Sequence, residues 1–167
     1  LSTQLAQGGL LLTGVEPHHM HVKHALSRVP DPTIIQKAEV RPDQNIHTPF
    51  HQKLNLDPFM QISATANSAK GKLSFTMHSD SVRNVHNVVD HEWGHLLEPK
   101  VPQQRALFEV AALVERKGYY VTDYARKTPG ENWAEHTASF LGTTEAFLEF
   151  VHNAPLRAIP IARGIGR

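Results

Sequence analysis

His91 and His95 stand four residues apart in the stretch His91-Glu92-Trp93-Gly94-His95. On an α-helix, residues at that spacing share one face a turn apart, so the two imidazoles can converge on one ion, as the HExxH zinc motif requires. Glu92, about 100° around the helix from His91, is not aimed to ligate but can reach a metal-bound water as general base. With this chain's own histidine and glutamate content, a chance HExxH is expected in roughly one such sequence in twenty, so the motif needs a further ligand. Catalytic zinc keeps three protein ligands and leaves one position for water. Downstream, Glu131-Asn132-Trp133-Ala134-Glu135 sets two carboxylates at helical spacing. One can reach the ion while the other accepts the ring N–H of a ligating histidine and fixes its tautomer.

HEWGH followed by ENWAE resembles the gluzincin type of zinc metallopeptidase, in which a glutamate on a following helix is the third ligand. Within that group the chain is most similar to the catalytic domain of anthrax lethal factor and related bacterial toxin-type peptidases. The likeness includes Asp123-Tyr124-Ala125-Arg126, which puts a tyrosine seven residues before Glu131. The resemblance implies His91, His95 and Glu131 as ligands of a single Zn2+, Glu92 as base, Tyr124 as partner of the oxyanion and Glu135 as support for a ligand. It covers about Leu73 to Phe140. No glycine and third histidine follow the HExxH as in a metzincin.

Plainer roles compete for each residue. Glu131 can close a capping box, Glu135 can itself be the third ligand, and Tyr124 can be a packing residue. Trp93 and Trp133 read as core. The cluster His18-His19-x-His21-x-x-His24 reads as a solvated histidine-rich loop, because no carboxylate or sulfur ligand accompanies it. His78, just before the motif helix, is a candidate for the substrate cleft through β-addition of an extended peptide.

These residues need elements to carry them. Residues 1–58 hold prolines at 17, 30, 32, 42, 49 and 58 and read as a loop-rich wrap, with one short helix near Met20 to Ser27. Apolar alternation from Phe59, and again at Leu73, Phe75 and Met77, predicts two strands joined through the turn residues Asn67 to Gly71. Ser79 or Asp80 then caps an amphipathic helix that runs to Leu97 before Pro99. A second helix is expected over residues 103–117, with a stripe of Leu107, Val110, Ala111 and Val114 and a break at Gly118. A third enters at Thr128-Pro129-Gly130-Glu131, with a break near Gly142 to Thr144, and extends to Pro155. The tail from Arg163 reads as frayed.

Composition sets the outer bounds. The chain has 167 residues, 40% of them hydrophobic, with 17 Lys and Arg against 16 Asp and Glu. That excludes a disordered chain and gives no basic footprint for nucleic acid. No apolar run approaches the roughly 18 residues of a membrane span. Twelve histidines and no cysteine exclude disulfides, thiolate metal sites and a cysteine nucleophile.

The expectation is a single α+β, zincin-like domain over 1–167, with a small, mainly antiparallel sheet packed on helices and its catalytic core at 59–155. It begins with leucine and reads as excised from a longer chain, exported or delivered as part of a larger bacterial protein as an effector or toxin-type domain. Its expected activity is zinc-dependent hydrolysis of a protein or peptide substrate, with a carrier chain or cognate inhibitor as further partners. Two other readings stand beside it: a hydrolase of cell-wall amide bonds, and a non-catalytic zinc module of a secretion or phage assembly. In the latter a fourth protein ligand, His78 or His136, closes the site.

Overall fold

The computed structural model describes residues 3–4, 11–14, 19–41, 64–76, 85–115 and 118–166. They form an α+β arrangement in which a five-stranded sheet lies beside six helices. The strands are β1 (Thr3–Gln4), β2 (Leu11–Gly14), β3 (Lys37–Arg41), β4 (Ala64–Asn67) and β5 (Lys72–Thr76), in the order β1-β2-β3-β5-β4. Both pairings of β3, with β2 and with β5, are parallel, while β1 with β2 and β4 with β5 are antiparallel. The sheet is therefore mixed rather than mainly antiparallel. One antiparallel edge is the β4–β5 hairpin expected from the turn residues at 67–71 and the other is β1 on β2, while β2 and β3 of the parallel centre come from the segment expected to be loops.

β3 is the longest of the three strands that lie in the segment expected to be loops. Ala38 and Val40 are fully buried while Lys37, Glu39 and Arg41 point away, a period of two in the run Lys-Ala-Glu-Val-Arg. Residues 19–41 thus build into the core instead of wrapping it. Helix α1 (His19–Leu26) buries Val22, Ala25 and Leu26 and exposes His21 and His24. The histidine cluster, insofar as it is described, lies on the outward face of a helix rather than in a loop.

The β4–β5 turn shows how locally the hairpin is fixed. Asn67 accepts from Lys70 N (3.1 Å), and Gly71 adopts φ 54° while its carbonyl accepts from Gln36 N (2.8 Å). A Cβ at position 71 would stand 2.9 Å from Gln36 Cγ, so both backbone conformation and space require glycine. Ser68 in this turn donates to His95 O (3.0 Å), tying the hairpin to the motif helix.

Helix α2 (Val85–Leu97) carries HEWGH, and the cap expected at Ser79 or Asp80 lies outside the described residues. Helix α3 (Pro102–Val114) follows, then α4 (Pro129–Leu141) with ENWAE, α5 (Thr144–Asn153) and α6 (Pro155–Ile165). Thr128 caps α4 as expected, its hydroxyl accepting from Glu131 N (3.1 Å), and Thr143 caps α5 after the break at Gly142. The tail from Arg163 is not frayed but forms the last turn of α6, closed by Gly166 at φ 88°.

The expected stripe of α3 is corrected. Ala111 is buried as expected, but Leu107, Val110 and Val114 are exposed and the inward aromatic is Phe108. Phe108 meets Trp133 edge to face (5.4 Å), and Glu115 beyond the helix end pairs with Arg157 of α6. Burying a large aromatic and neutralising a buried arginine outweigh the aliphatic face, which has the same period. Trp93 and Trp133 are both fully buried, as expected for core.

Candidate metal centre

The site lies where α2 and α4 meet, and one glycine permits the meeting. A Cβ on Gly94 would stand 3.2 Å from both Ala134 Cα and Thr137 Cβ. Trp133 Nε1 donates to Gly94 O (2.9 Å), and Trp93 Nε1 donates to Asp31 O (2.8 Å) on the opposite side. The two tryptophans of the motifs thereby fix the rotation of both helices about their axes.

That close approach brings together three of the residues singled out in the sequence. His91 Nε2, His95 Nε2 and Glu131 Oε2 converge, with separations of 3.2 Å between the imidazoles and 3.0 and 3.3 Å from Oε2 to His91 and His95. Among the described residues they are the group able to hold a metal ion. Bonds of about 2.0–2.1 Å to a tetrahedral zinc imply donor separations of about 3.3 Å, so the spacing fits that ion.

The far side of each imidazole decides what the near side offers. His91 Nδ1 lies 2.5 Å from Glu135 Oε1, an oblique approach that leaves Nδ1 without an aligned hydrogen bond. His95 Nδ1 lies 3.8 Å from Glu98 Oε2. A carboxylate beside each Nδ1 favours a proton there and leaves a lone pair on each Nε2. Two such lone pairs and a carboxylate oxygen facing one another at about 3 Å repel unless a cation or a shared proton lies between them.

Charge and burial follow from this crowding. Burial raises the pKa of Glu92, against the opposing pull of His91 and His95. Glu135 is held below the usual carboxylate range despite its burial, because His91 and the Thr122 hydroxyl (2.5 Å) stabilise its charged form. His95 is raised: burial alone would lower it, but Glu98, Glu92 and Glu131 together prevail. Tyr124 donates to Glu131 Oε1 (3.3 Å), and burial together with that carboxylate pushes its pKa up to about 12. It is a proton donor at neutral pH.

Glu131 therefore both occupies the capping-box position and turns its carboxylate into the site, since the cap is made by its backbone N–H. Glu135 lies behind His91 and outside the converging group. His136 is not a closing ligand. It is fully buried against Phe108 and Phe150, with Nδ1 2.7 Å from Asn132 O and Nε2 3.1 Å from Arg157 Nη1. His78 lies outside the described residues, as does the strand expected from Phe59 before Ala64.

Sequence reading missed three contributors. Thr122 anchors Glu135 and also accepts from Ala125 N (3.2 Å), which shapes the turn carrying Tyr124. Glu98 stands behind His95, and Arg105 Nε donates to Glu98 Oε1 (2.8 Å). The signal for Glu98 was available in its position three residues after His95 at the same helix end. Compared with known proteins, the chain matches no family model and no curated sequence.

Proposed function

We propose that the chain is a zinc-dependent endopeptidase, with His91, His95 and Glu131 holding the ion. The observation that carries this reading is the convergence of those three donor atoms, each imidazole backed by a carboxylate. A bound Zn2+ would supply a Lewis acid that polarises a scissile carbonyl and acidifies a bound water. Glu92, adjacent in sequence to a ligand and buried, takes the proton and delivers it to the leaving amine. Tyr124, half-exposed beside Glu131, donates its phenolic proton in a hydrogen bond to the developing oxyanion. Glu135, anchored by Thr122, stands behind the His91 ring and favours its Nδ1 proton.

Among the described residues only His91, His95 and Glu131 converge, and His136 is engaged elsewhere, which favours three protein ligands and so chemistry over a purely structural zinc. The resemblance of HEWGH and ENWAE to the motifs of toxin-type peptidases adds the reading that the domain acts on a protein substrate.

Elemental analysis of the purified chain, paired with cleavage of a mixed peptide library read by mass spectrometry, tests the function. Zinc near one equivalent with new peptide termini is expected. A folded chain that refuses added zinc would end the reading.

A further inference from the structure

Each imidazole of the centre has a carboxylate at its back, but the two carboxylates are held differently. Glu135 is anchored by the neutral hydroxyl of Thr122. Glu98 is anchored by a cation: Arg105 Nε donates to Oε1 (2.8 Å), and the same guanidinium reaches Glu109 (2.9 Å). The other oxygen of Glu98 faces His95 Nδ1 at 3.8 Å. It also lies beside the first turn of α4, where a Cβ at Gly130 would stand 3.5 Å from Oε2. The carboxylate thus sits between the end of α2, which carries two ligands, and the start of α4, which carries the third. The Arg105 side chain is 12% exposed and that of Glu98 27%, so the pair is partly shielded from water.

We propose that Glu98 is the positioning residue for His95, and that Arg105 holds it in that role. The inference rests on the metal reading above and adds to it a determinant of ion affinity. At 3.8 Å the contact is an ion-pair distance, and a slight turn of the carboxylate or one bridging water completes the bond to Nδ1–H. Ligation through Nε2 requires the proton on Nδ1, so the oxygen at that position selects the ligating tautomer and the ring plane together. Arg105, by occupying Oε1, holds the carboxylate at that place and orientation behind the ring.

A purely structural role for the pair, as a clasp between α2 and α3, would change stability and leave the ion untouched. The test therefore measures both. Zinc affinity by chelator competition, the visible spectrum of the Co2+-loaded chain and the melting temperature in excess chelator are compared for wild type, Glu98→Ala, Glu98→Gln and Arg105→Met. Glu98→Ala is expected to weaken zinc binding about 10- to 100-fold, the range for loss of a carboxylate behind a ligating histidine. Glu98→Gln retains an oxygen that accepts from Nδ1–H and should recover part of that loss. Arg105→Met, which frees Glu98 from its anchor, should weaken zinc binding in the same direction by a smaller factor.

Melting temperatures that fall while zinc affinity and the Co2+ band stay at wild-type values would overturn the proposal and leave a structural clasp. A wild-type chain that takes up no zinc would overturn the metal reading and this inference with it. The wild-type measurement alone tells the two failures apart.

Discussion

His91 Nδ1 lies 2.5 Å from Glu135 Oε1, while Nε2 of the same ring lies 3.0 Å from Glu131 Oε2. Two carboxylates one helical turn apart on α4 therefore address opposite nitrogens of a single imidazole. This separates their jobs: Glu131 faces the other donors and Glu135 faces away from them. Glu131→Ala should abolish zinc uptake, whereas Glu135→Ala should retain it with an affinity lower by about 10- to 100-fold. Chelator competition on both variants checks the division. Loss of zinc with Glu135→Ala and retention with Glu131→Ala would exchange the two roles.

Glu92 is buried and its charge is crowded by neighbouring carboxylates, but it is not among the converging donors. Glu92→Gln should leave zinc content unchanged and lower turnover by about 10²- to 10⁴-fold, the usual contribution of a general acid–base group. Tyr124→Phe should also keep its zinc. Its loss should appear in kcat, by about 10²- to 10³-fold for one oxyanion donor. Wild-type turnover in the Glu92 variant would remove that residue from the chemistry.

Gly94 is where α2 meets Ala134 and Thr137 of α4, the helix that carries Glu131. Gly94→Ala puts a methyl group 3.2 Å from Ala134 Cα and Thr137 Cβ, and the Ala134 side of that contact is backbone, which gives way only if α4 shifts. The variant should be destabilised by about 1–3 kcal/mol, the range for overpacking, despite alanine's better helix propensity. Because α4 must move outward, zinc affinity should fall with stability. Urea unfolding in chelator and zinc titration measure the two effects separately. A Gly94→Ala chain as stable as wild type would show that the helix pair has slack.

The parts of the site that were legible in the sequence are those written into single helices. HEWGH and ENWAE each state their geometry through the helical repeat, and the cap at Thr128 fixes where the second helix starts. The pairing of Glu98 with Arg105 spans two helices and a turn, and Thr122 reaches Glu135 from an irregular segment, so no local period reveals either. In the fold, Ala38 and Val40 alternate as a strand should, but the prolines on either side argued for loop and the run is short. For α3, the stripe 107, 110, 114 and the stripe 104, 108, 111 are both helical faces. Only the presence of Trp133 and Arg157 opposite decides between them.

His136 offers a test in which the acid limb of stability reports a single buried ring. Burial, with the Arg157 guanidinium beside it, pushes its pKa down to about 3 from an ordinary 6.5. The folded chain keeps the ring neutral: Nε2 accepts from Arg157 and Nδ1–H donates to Asn132 O. Between pH 6.5 and 3 the unfolded chain binds a proton at this site that the folded chain does not. Stability from this group is therefore complete above pH 6.5 and declines as the pH falls through that window, by up to about 1.4 kcal/mol per unit. His136→Gln keeps an acceptor for Arg157 and removes the titration. In urea unfolding with chelator present, the variant should be less stable than wild type at pH 7, by about 1–3 kcal/mol for an imperfect buried network. It should lose less on going to pH 4.5. Glu39 and Glu98, whose charged forms are also favoured by folding, remain in both proteins, and Glu135 is coupled to His136 itself. The difference between the two slopes therefore reports His136 together with its coupling to Glu135, and parallel acid limbs would show that its neutral state is not coupled to folding.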